Sequence, residues 1–250
     1  MEKLDLTEYL RRRPYPGRGI LLGMSHNGTW AQAVMAYFIM GRSENSRNRV
    51  FEETEDGIRT RAYDESKMTD PSLIIYHPVR MVGSTTIVTN GDQTDTIRDF
   101  LVEGKTFEEA LRTRAYEPDE PNFTPRISGL MGRSGNYRLS ILKEGQDRLC
   151  QRQFFEYQPR YQTGHFISTY EGFGDPRPSF HGEPVEAAIT AGSADELADQ
   201  LWESLNGDNK VSLFVRYVDL RNGFPETVII NKHGHRTRTA PKAPIWKEEH

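Results

Sequence analysis

Cysteine is almost missing from this sequence. The one thiol among 250 residues, Cys150, has no partner for an intramolecular disulfide and cannot supply a cysteine-cluster metal site. The chain is therefore expected in a reducing compartment, with a cytoplasmic address. Long apolar runs are also missing: residues 34–40, interrupted by Tyr37, fall far short of the roughly 20 residues that cross a bilayer, so no membrane partner is expected. The opening MEKLDLTEYLRRRPYPG lacks the apolar centre and small-residue cleavage site of a secretory leader and is expected to stay on the mature chain. Positive charge is not in excess. Lys and Arg number 32 against 36 Asp and Glu, a net charge of −4, which disfavours a broad nucleic-acid surface but leaves room for a local anion pocket. No GxGxxG or GxxxxGK[ST] string occurs, which removes the usual nucleotide loops, and there is no internal repeat.

What remains is a chain long enough to bury its own core. Residues 4–13 fit a short helix, with Asp5 or Thr7 as cap and Pro14 and Pro16 as stops. Apolar, β-compatible stretches at 19–24 and 31–40 flank the polar turn His26-Asn27-Gly28 and predict a hairpin. A second strand group is expected at 73–76, 80–82 and 85–89, turning at Gly83-Ser84. Helical spacing appears between 94 and 116, broken at Gly104-Lys105-Thr106 into two helices, the second with a Thr106–Glu109 capping box. Strands return at 127–131, 137–142, 152–157 and 165–170. A helix capped by Ser193 with Glu196 follows, and 210–218 and 227–231 complete the core. Strands in hairpin order with helices in blocks predict an α+β fold on antiparallel sheets rather than a doubly wound sheet. The tail, rich in Pro and charge, is expected to be an irregular strap.

Three constellations carry possible chemistry. Gly41 to Arg49 (GRSENSRNR) packs three guanidinium groups, two hydroxyls and two amides into nine residues, an anion cradle because Arg forks meet phosphate oxygens bidentately. In an extended segment Arg47 and Arg49 share a face; the alternative is a solvated loop whose arginines pair with Glu44, Glu52 and Glu53. Tyr76, His77 and Arg80 sit at the end of an expected buried strand opening into a cleft, where a Tyr is more often an ordinary core-edge residue with its hydroxyl satisfied. Residues 89–95 (TNGDQTD) form a polar turn before a helix, either a plain cap or a helix N-terminus holding a polar ligand. His233-Gly234-His235 has no acidic cluster beside it and is expected to be a polar loop. Glu171 and Asp175, just past a strand, are candidate acids or bases.

Taken in order, Gly17-Arg18, Gly41-Arg42-Ser43 with Asn48-Arg49, Tyr76 with Arg80, Val88-Thr89-Asn90-Gly91 followed by Thr94-Asp95, and Thr124-Pro125-Arg126-Ile127-Ser128-Gly129 resemble the archaeal-type IMP cyclohydrolase family. The likeness covers about the first 130 residues, with a looser match at 165–172. It implies a four-layered αββα sandwich like that of the N-terminal-nucleophile hydrolases but without self-processing. The opening Met1-Glu2 agrees, since no Ser, Thr or Cys follows the Met. On this basis residues 1–16 are expected as an N-terminal arm, 17–234 as a single domain and 235–250 as a tail. The sequence is longer than archaeal members in the arm, around 133–162 and in the tail.

The activity implied is dehydrative closure of 5-formamidoimidazole-4-carboxamide ribotide to IMP, with no cofactor, metal or nucleotide energy source. The resemblance assigns Arg18, Arg42, Arg47 and Arg49 to the ribotide phosphate, with Ser43 and Asn48 alongside. Tyr76 and Arg80 stand beside the reacting groups, and Asn90, with Gly91 and Asp92, serves the carboxamide; Arg126 completes the substrate-binding set. Tyr76 either protonates the formyl oxyanion or removes the amide proton, and Glu171 is the reserve proton acceptor. The partner expected is a small-molecule purine ribotide, the assembly a homo-oligomer. Two other readings stand beside it: a non-catalytic purine-nucleotide-binding or regulatory relative, and RNA binding through the Arg-rich loop, which the acidic balance and short cradle disfavour.

Overall fold

The computed structural model describes residues 3–26, 28–239 and 244–245. Asn27 of the expected first turn, residues 1–2 of the arm, and residues 240–243 and 246–250 of the tail lie outside the described residues. The chain opens with α1 (Leu6–Arg11), whose Asp5 carboxylate accepts from the Thr7 amide at 2.8 Å. The antiparallel hairpin β1 (Arg18–His26) and β2 (Ala31–Met40) follows as the alternating apolar pattern predicts. After the one-turn helix α2 (Glu44–Arg47) come β3 (Arg49–Thr54), β4 (Gly57–Ala62), β5 (Val79–Val82) and β6 (Thr85–Thr89). Helices α3 (Gln93–Val102) and α4 (Phe107–Arg112) intervene before β7 (Arg126–Met131), β8 (Tyr137–Glu144) and β9 (Cys150–Tyr157). The chain then forms β10 (Thr163–Ser168), β11 (Val185–Ala188), α5 (Ala194–Ser204), β12 (Lys210–Asp219), β13 (Pro225–Asn231) and β14 (Thr237–Thr239).

These strands make two antiparallel seven-stranded sheets, so the α+β expectation holds. One sheet is the meander β3 to β9; the other, β11-β10-β1-β2-β12-β13-β14, draws its strands from both ends of the chain. Strand alternation separates three apolar layers. Ile20, Leu22 and Met24 of β1 and Met35, Tyr37 and Ile39 of β2 meet Val88, Ile127, Leu139 and Ile141 of the other sheet. The alternate positions Leu21, Val34, Ala36 and Phe38 meet Leu10 of α1 and Leu197 and Leu201 of α5. On the far face Ile87 and Leu142 pack against Ile97, Phe107 and Leu111 of α3 and α4. Helices therefore cover both outer faces, because both faces of each central sheet are apolar. The capping box at Thr106 and Glu109 starts α4, and the Ser193 hydroxyl accepts the Glu196 amide at 3.2 Å to start α5.

The fold departs from the sequence expectation in four places. Residues 73–76 form a turn, not a strand: the Ile75 amide bonds back to the Pro71 carbonyl at 2.9 Å, and Pro78, with no N–H, delays β5 to Val79. The region 94–116 is helical only to Arg112, where the Thr113 hydroxyl bonds the Ala110 carbonyl at 2.7 Å and closes the turn. Three strands, β3, β4 and β11, carry too few alternating apolar residues to stand out. Within the expected strap, Thr237–Thr239 instead adds β14 to the sheet edge.

One polar cluster joins the sheets. His165 of β10 points between them, its ring stacked on Tyr157 of β9 at 3.6 Å and its Nδ1 2.7 Å from the Tyr137 hydroxyl of β8. Burial pushes the imidazole from 6.5 down to about 4, outweighing the opposite pull of Glu186. The unfolded chain binds this proton near 6.5 and the folded chain only near 4, so stability falls as pH drops through that window. His165→Gln is expected to flatten this part of the stability–pH curve, measured as urea midpoints from pH 7 to pH 4. An unchanged slope would discard the assignment.

Candidate active site

At one end of the sandwich the inward parity that buries Ile20 and Phe51 brings Arg18 and Arg49 between the sheets. Arg49 is fully buried. Its Nε donates to the Ser46 carbonyl at 2.8 Å, while its buried Nη1 has no partner among the described residues. Arg18 approaches the Glu117 carboxylate at 3.7 Å, and its Nε is likewise buried and unpartnered. Burial opposes the charge on both groups. In Arg18 burial is the largest single influence, but Glu117 together with Tyr76, Tyr15 and Tyr170 outweighs it and holds the guanidinium firmly cationic; in Arg49 burial prevails and lowers the pKa. Unbonded guanidinium donors in a dry site mark a place for an anion.

They line a cavity of about 330 Å³ whose wall includes Tyr15, Arg18, Arg42, Ser43, Arg49, Glu117 and Tyr170. That lies within the range of small-molecule sites, roughly 300–1,000 Å³. A crevice lined by Leu73, Tyr76, Gly91, Asp92, Glu117 and Arg126 adjoins it, sharing Leu73 and Glu117, and is too tight to admit a water-sized group. Beyond Tyr76 lies a larger cavity of about 770 Å³ that shares Tyr76 and Asp92 with the crevice. Most of its charged groups are already paired, Arg59 with Glu52 at 2.6 Å, Asp95 with Arg80 at 3.0 Å and Asp92 with Arg126 at 2.6 Å. The smaller cavity, where Arg18 and Arg42 have only loose carboxylate neighbours at 3.7 and 3.9 Å and Arg49 has no ion-pair partner among the described residues, is better suited to an anion.

Tyr76 reaches this region from the turn after Pro71. Its amide donates to the Thr60 hydroxyl and its carbonyl accepts the Thr60 amide, each at 2.8 Å, which pins the turn against β4. Its hydroxyl is 2.7 Å from that of Tyr37, which projects inward from β2. Glu117, unmarked in the sequence among the carboxylates of a proline-bounded loop, is almost fully buried. Its carboxylate accepts from the Asn90 amide at 3.4 Å; burial pushes its pKa up against the pull of Arg18 and Arg126.

The structure gathers some of the expected residues and not others. Arg18, Arg42, Ser43 and Arg49 line the anion cavity, and Tyr76, Gly91, Asp92 and Arg126 the adjoining crevice. Arg42 stands at the mouth, 5.1 Å over the Tyr15 ring. Arg47 and Arg49 do not share a face: the Ser43 capping box coils residues 44–47 into α2 and turns Arg47 away, where it donates to the Gly41 carbonyl at 2.9 Å and Asn209 at 3.1 Å. Asn48 brackets Asp64 through both backbone groups, at 2.7 and 2.8 Å. Arg80 is held by Asp56, Asp95 and His77. Asn90 bonds the Pro125 carbonyl at 2.9 Å and accepts from the Ile127 amide at 2.8 Å, tying α3 to β7. At the α3 N-cap Asp92 makes no cap bond; Arg114 and Arg126 take its carboxylate instead. Gly91 leaves room for Arg126, whose Nη1 would lie 2.6 Å from an added Cβ. Glu171 lines neither the cavity nor the crevice, and His233 stacks on Tyr63 at 4.8 Å.

Residues 15–223, a span that contains the whole cavity wall, match the model of a family described as IMP cyclohydrolase-like protein. Among similar proteins, the IMP cyclohydrolase of Methanosphaera stadtmanae is 28% identical over 192 residues, 74% of this chain and 83% of the relative. That of Methanococcus aeolicus is 30% identical over 161 residues, 63% and 74% of the two chains. That of Methanopyrus kandleri is 36% identical over 118 residues, 46% and 57%.

Arg49→Met tests the anion site directly, since methionine keeps an apolar stem and deletes the charge. Removing a buried charge with no ion-pair partner is often neutral or stabilising. The melting temperature without phosphate is therefore expected to stay within about 2 °C of the parent or rise. The increase that inorganic phosphate gives the parent should disappear; its persistence, read by scanning fluorimetry, would move the site elsewhere.

Proposed function

The chain belongs to the IMP cyclohydrolase-like family, and from that premise we propose that it closes 5-formamidoimidazole-4-carboxamide ribotide to IMP and water. The observation that carries the reading is the pair of buried, incompletely bonded guanidinium groups, Arg18 and Arg49, in one cavity wall with the buried carboxylate Glu117. The ribotide phosphate occupies the cavity between Arg42, Ser43 and Arg49, where each charge-assisted hydrogen bond contributes about 1.5–3 kcal/mol. Arg47 and Asn48 support this cradle from behind by holding the 41–49 loop. The imidazole lies past Arg18 in the same cavity, its reacting groups turned toward Glu117 and the tight crevice where Tyr76 and Arg126 meet it. A cytoplasmic address and a homo-oligomeric state belong to the same reading; among the described residues no helix is long and apolar enough to cross a membrane.

An amide nitrogen is a poor nucleophile because its lone pair is delocalised, so the site must hold it against the formyl carbon and stabilise charge on the formyl oxygen. Tyr76 is the group for the oxygen. Glu117 is the group for the amide proton, in preference to Glu171, because it lines the crevice and its raised pKa makes it the stronger base. Arg80, Asn90 and Asp92 act through their neighbours, fixing the turn and the α3–β7 junction that frame the crevice.

The chelator-treated chain, given no nucleotide or reductant, is expected to accelerate formation of IMP above the spontaneous rate, followed by ultraviolet absorbance. IMP binding without acceleration would favour the non-catalytic relative. Tyr76→Phe should lower kcat by about 10²–10³ with little change in KM, the effect of losing one donor to a developing oxyanion. Glu117→Gln should lower kcat by about 10²–10⁴ and abolish the acid limb of the pH–rate profile, since the base acts only when deprotonated. Wild-type turnover in either variant would remove that residue from the chemistry.

A further inference from the structure

We infer that Tyr37 is a positioning residue: it donates its hydroxyl hydrogen to Tyr76, so that Tyr76 must direct its own hydrogen into the cavity and act as the proton donor to the formyl oxygen. The inference deepens the cyclisation reading and rests on it for the identity of the acceptor.

The argument is an inventory of protons. A phenol hydroxyl carries one hydrogen to donate and lone pairs to accept. The Tyr37 side chain is fully buried between the sheets, stacked on Phe51 at 5.7 Å, and among the described residues its hydroxyl bonds only to that of Tyr76, at 2.7 Å. Burial and the neighbouring Tyr76 push its pKa well up, so it remains protonated across the neutral range. A buried donor left without an acceptor is expensive, and one oxygen is in reach. The hydrogen of Tyr37 therefore lies on the line to Tyr76. Only one hydrogen fits between two oxygens at 2.7 Å, so that of Tyr76 points elsewhere; Tyr76 lines the crevice that adjoins the anion cavity, beside Arg18 and Arg49, which offer it no acceptor, so a ligand oxygen is the acceptor left for it.

This direction decides between the two roles that the sequence leaves open for Tyr76. As the amide nitrogen bonds to the formyl carbon, the Tyr76 O–H breaks and its proton passes to the formyl oxygen, while Glu117 takes the amide proton. The phenolate left on Tyr76 keeps the hydrogen bond from Tyr37 and lies near the cations Arg18 and Arg49. In the second half the new hydroxyl takes the proton held by Glu117 and departs as water. The former formamido N–H returns a proton to Tyr76, which restores both groups and leaves IMP.

Tyr37→Phe, Tyr76→Phe and the double variant form the test, since phenylalanine keeps each ring. Steady-state kinetics should show Tyr37→Phe lowering kcat by roughly tenfold at unchanged KM in the parent, and by less than about twofold in the Tyr76→Phe background, because residues acting through one hydroxyl are not additive. Equal losses in both backgrounds would overturn the coupling. Thermal melts read the hydrogen's direction without any turnover. Tyr76→Phe strands the buried Tyr37 donor and should melt lowest, while adding Tyr37→Phe to it should recover part of the loss. A Tyr37→Phe melting temperature below that of Tyr76→Phe would reverse the direction. A parent chain that does not accelerate cyclisation would sink the proposed function, and the melting order would still decide the proton.

Discussion

Two guanidinium groups buried between β-sheets must have an anion, and this requirement organises the end of the sandwich where Arg18 and Arg49 lie. Elsewhere the inward positions of the same strands carry Ile20, Leu22 and Phe51, which need only one another. Where the parity reaches Arg18 and Arg49 the core changes character. Glu117 offsets part of the charge on Arg18, at 3.7 Å rather than in a close ion pair, and the Arg49 Nη1 is left unbonded among the described residues. A protein built for stability alone would satisfy these groups or replace them with apolar side chains. In the proposed reading, a ligand supplies the missing negative charge.

Around this charge the polar framework is rigid. The Thr124 hydroxyl lies 2.5 Å from that of Tyr170, while Asp119 accepts the Thr124 amide at 2.6 Å. Asn48 clasps Asp64, Thr60 clasps Tyr76, and Asn90 joins α3 to β7. None of these groups needs to touch a ligand to matter. Each holds a loop whose backbone would otherwise be free, so the side chains proposed to react are ordered by the fold itself and that ordering does not have to be supplied on binding.

The difference between Arg47 and Arg49 shows how a local cluster can mark a cavity wall and still mislead about which side chains face it. The nine-residue Arg, Ser and Asn cluster does stand at the anion cavity. Its arginines divide because Ser43 and Ser46 cap a single helical turn, which rotates Arg47 to the back of the loop before β3 resumes the inward alternation at Arg49. Tyr76 makes the same point. Its apolar neighbours Leu73 to Ile75 resemble a strand, yet the prolines at 71 and 78 and the bonds to Thr60 make the segment a turn that overlies the crevice.

By itself the sequence determined the fold class, most strand and helix positions, the caps at Asp5, Thr106 and Ser193, and the neighbourhood of the anion cradle. All of these arise from interactions within a few residues: alternation, capping, and the density of like side chains. The tertiary structure decided which arginines face the cavity, that Glu117 rather than Glu171 lines it, and that Tyr37 backs Tyr76. Those pairings join strands and loops far apart in the chain, Tyr37 to Tyr76 across 39 residues, where no local pattern records the contact. They exist only because two sheets, one a continuous meander and the other assembled from both chain ends, close face to face and bury whatever their inward positions carry.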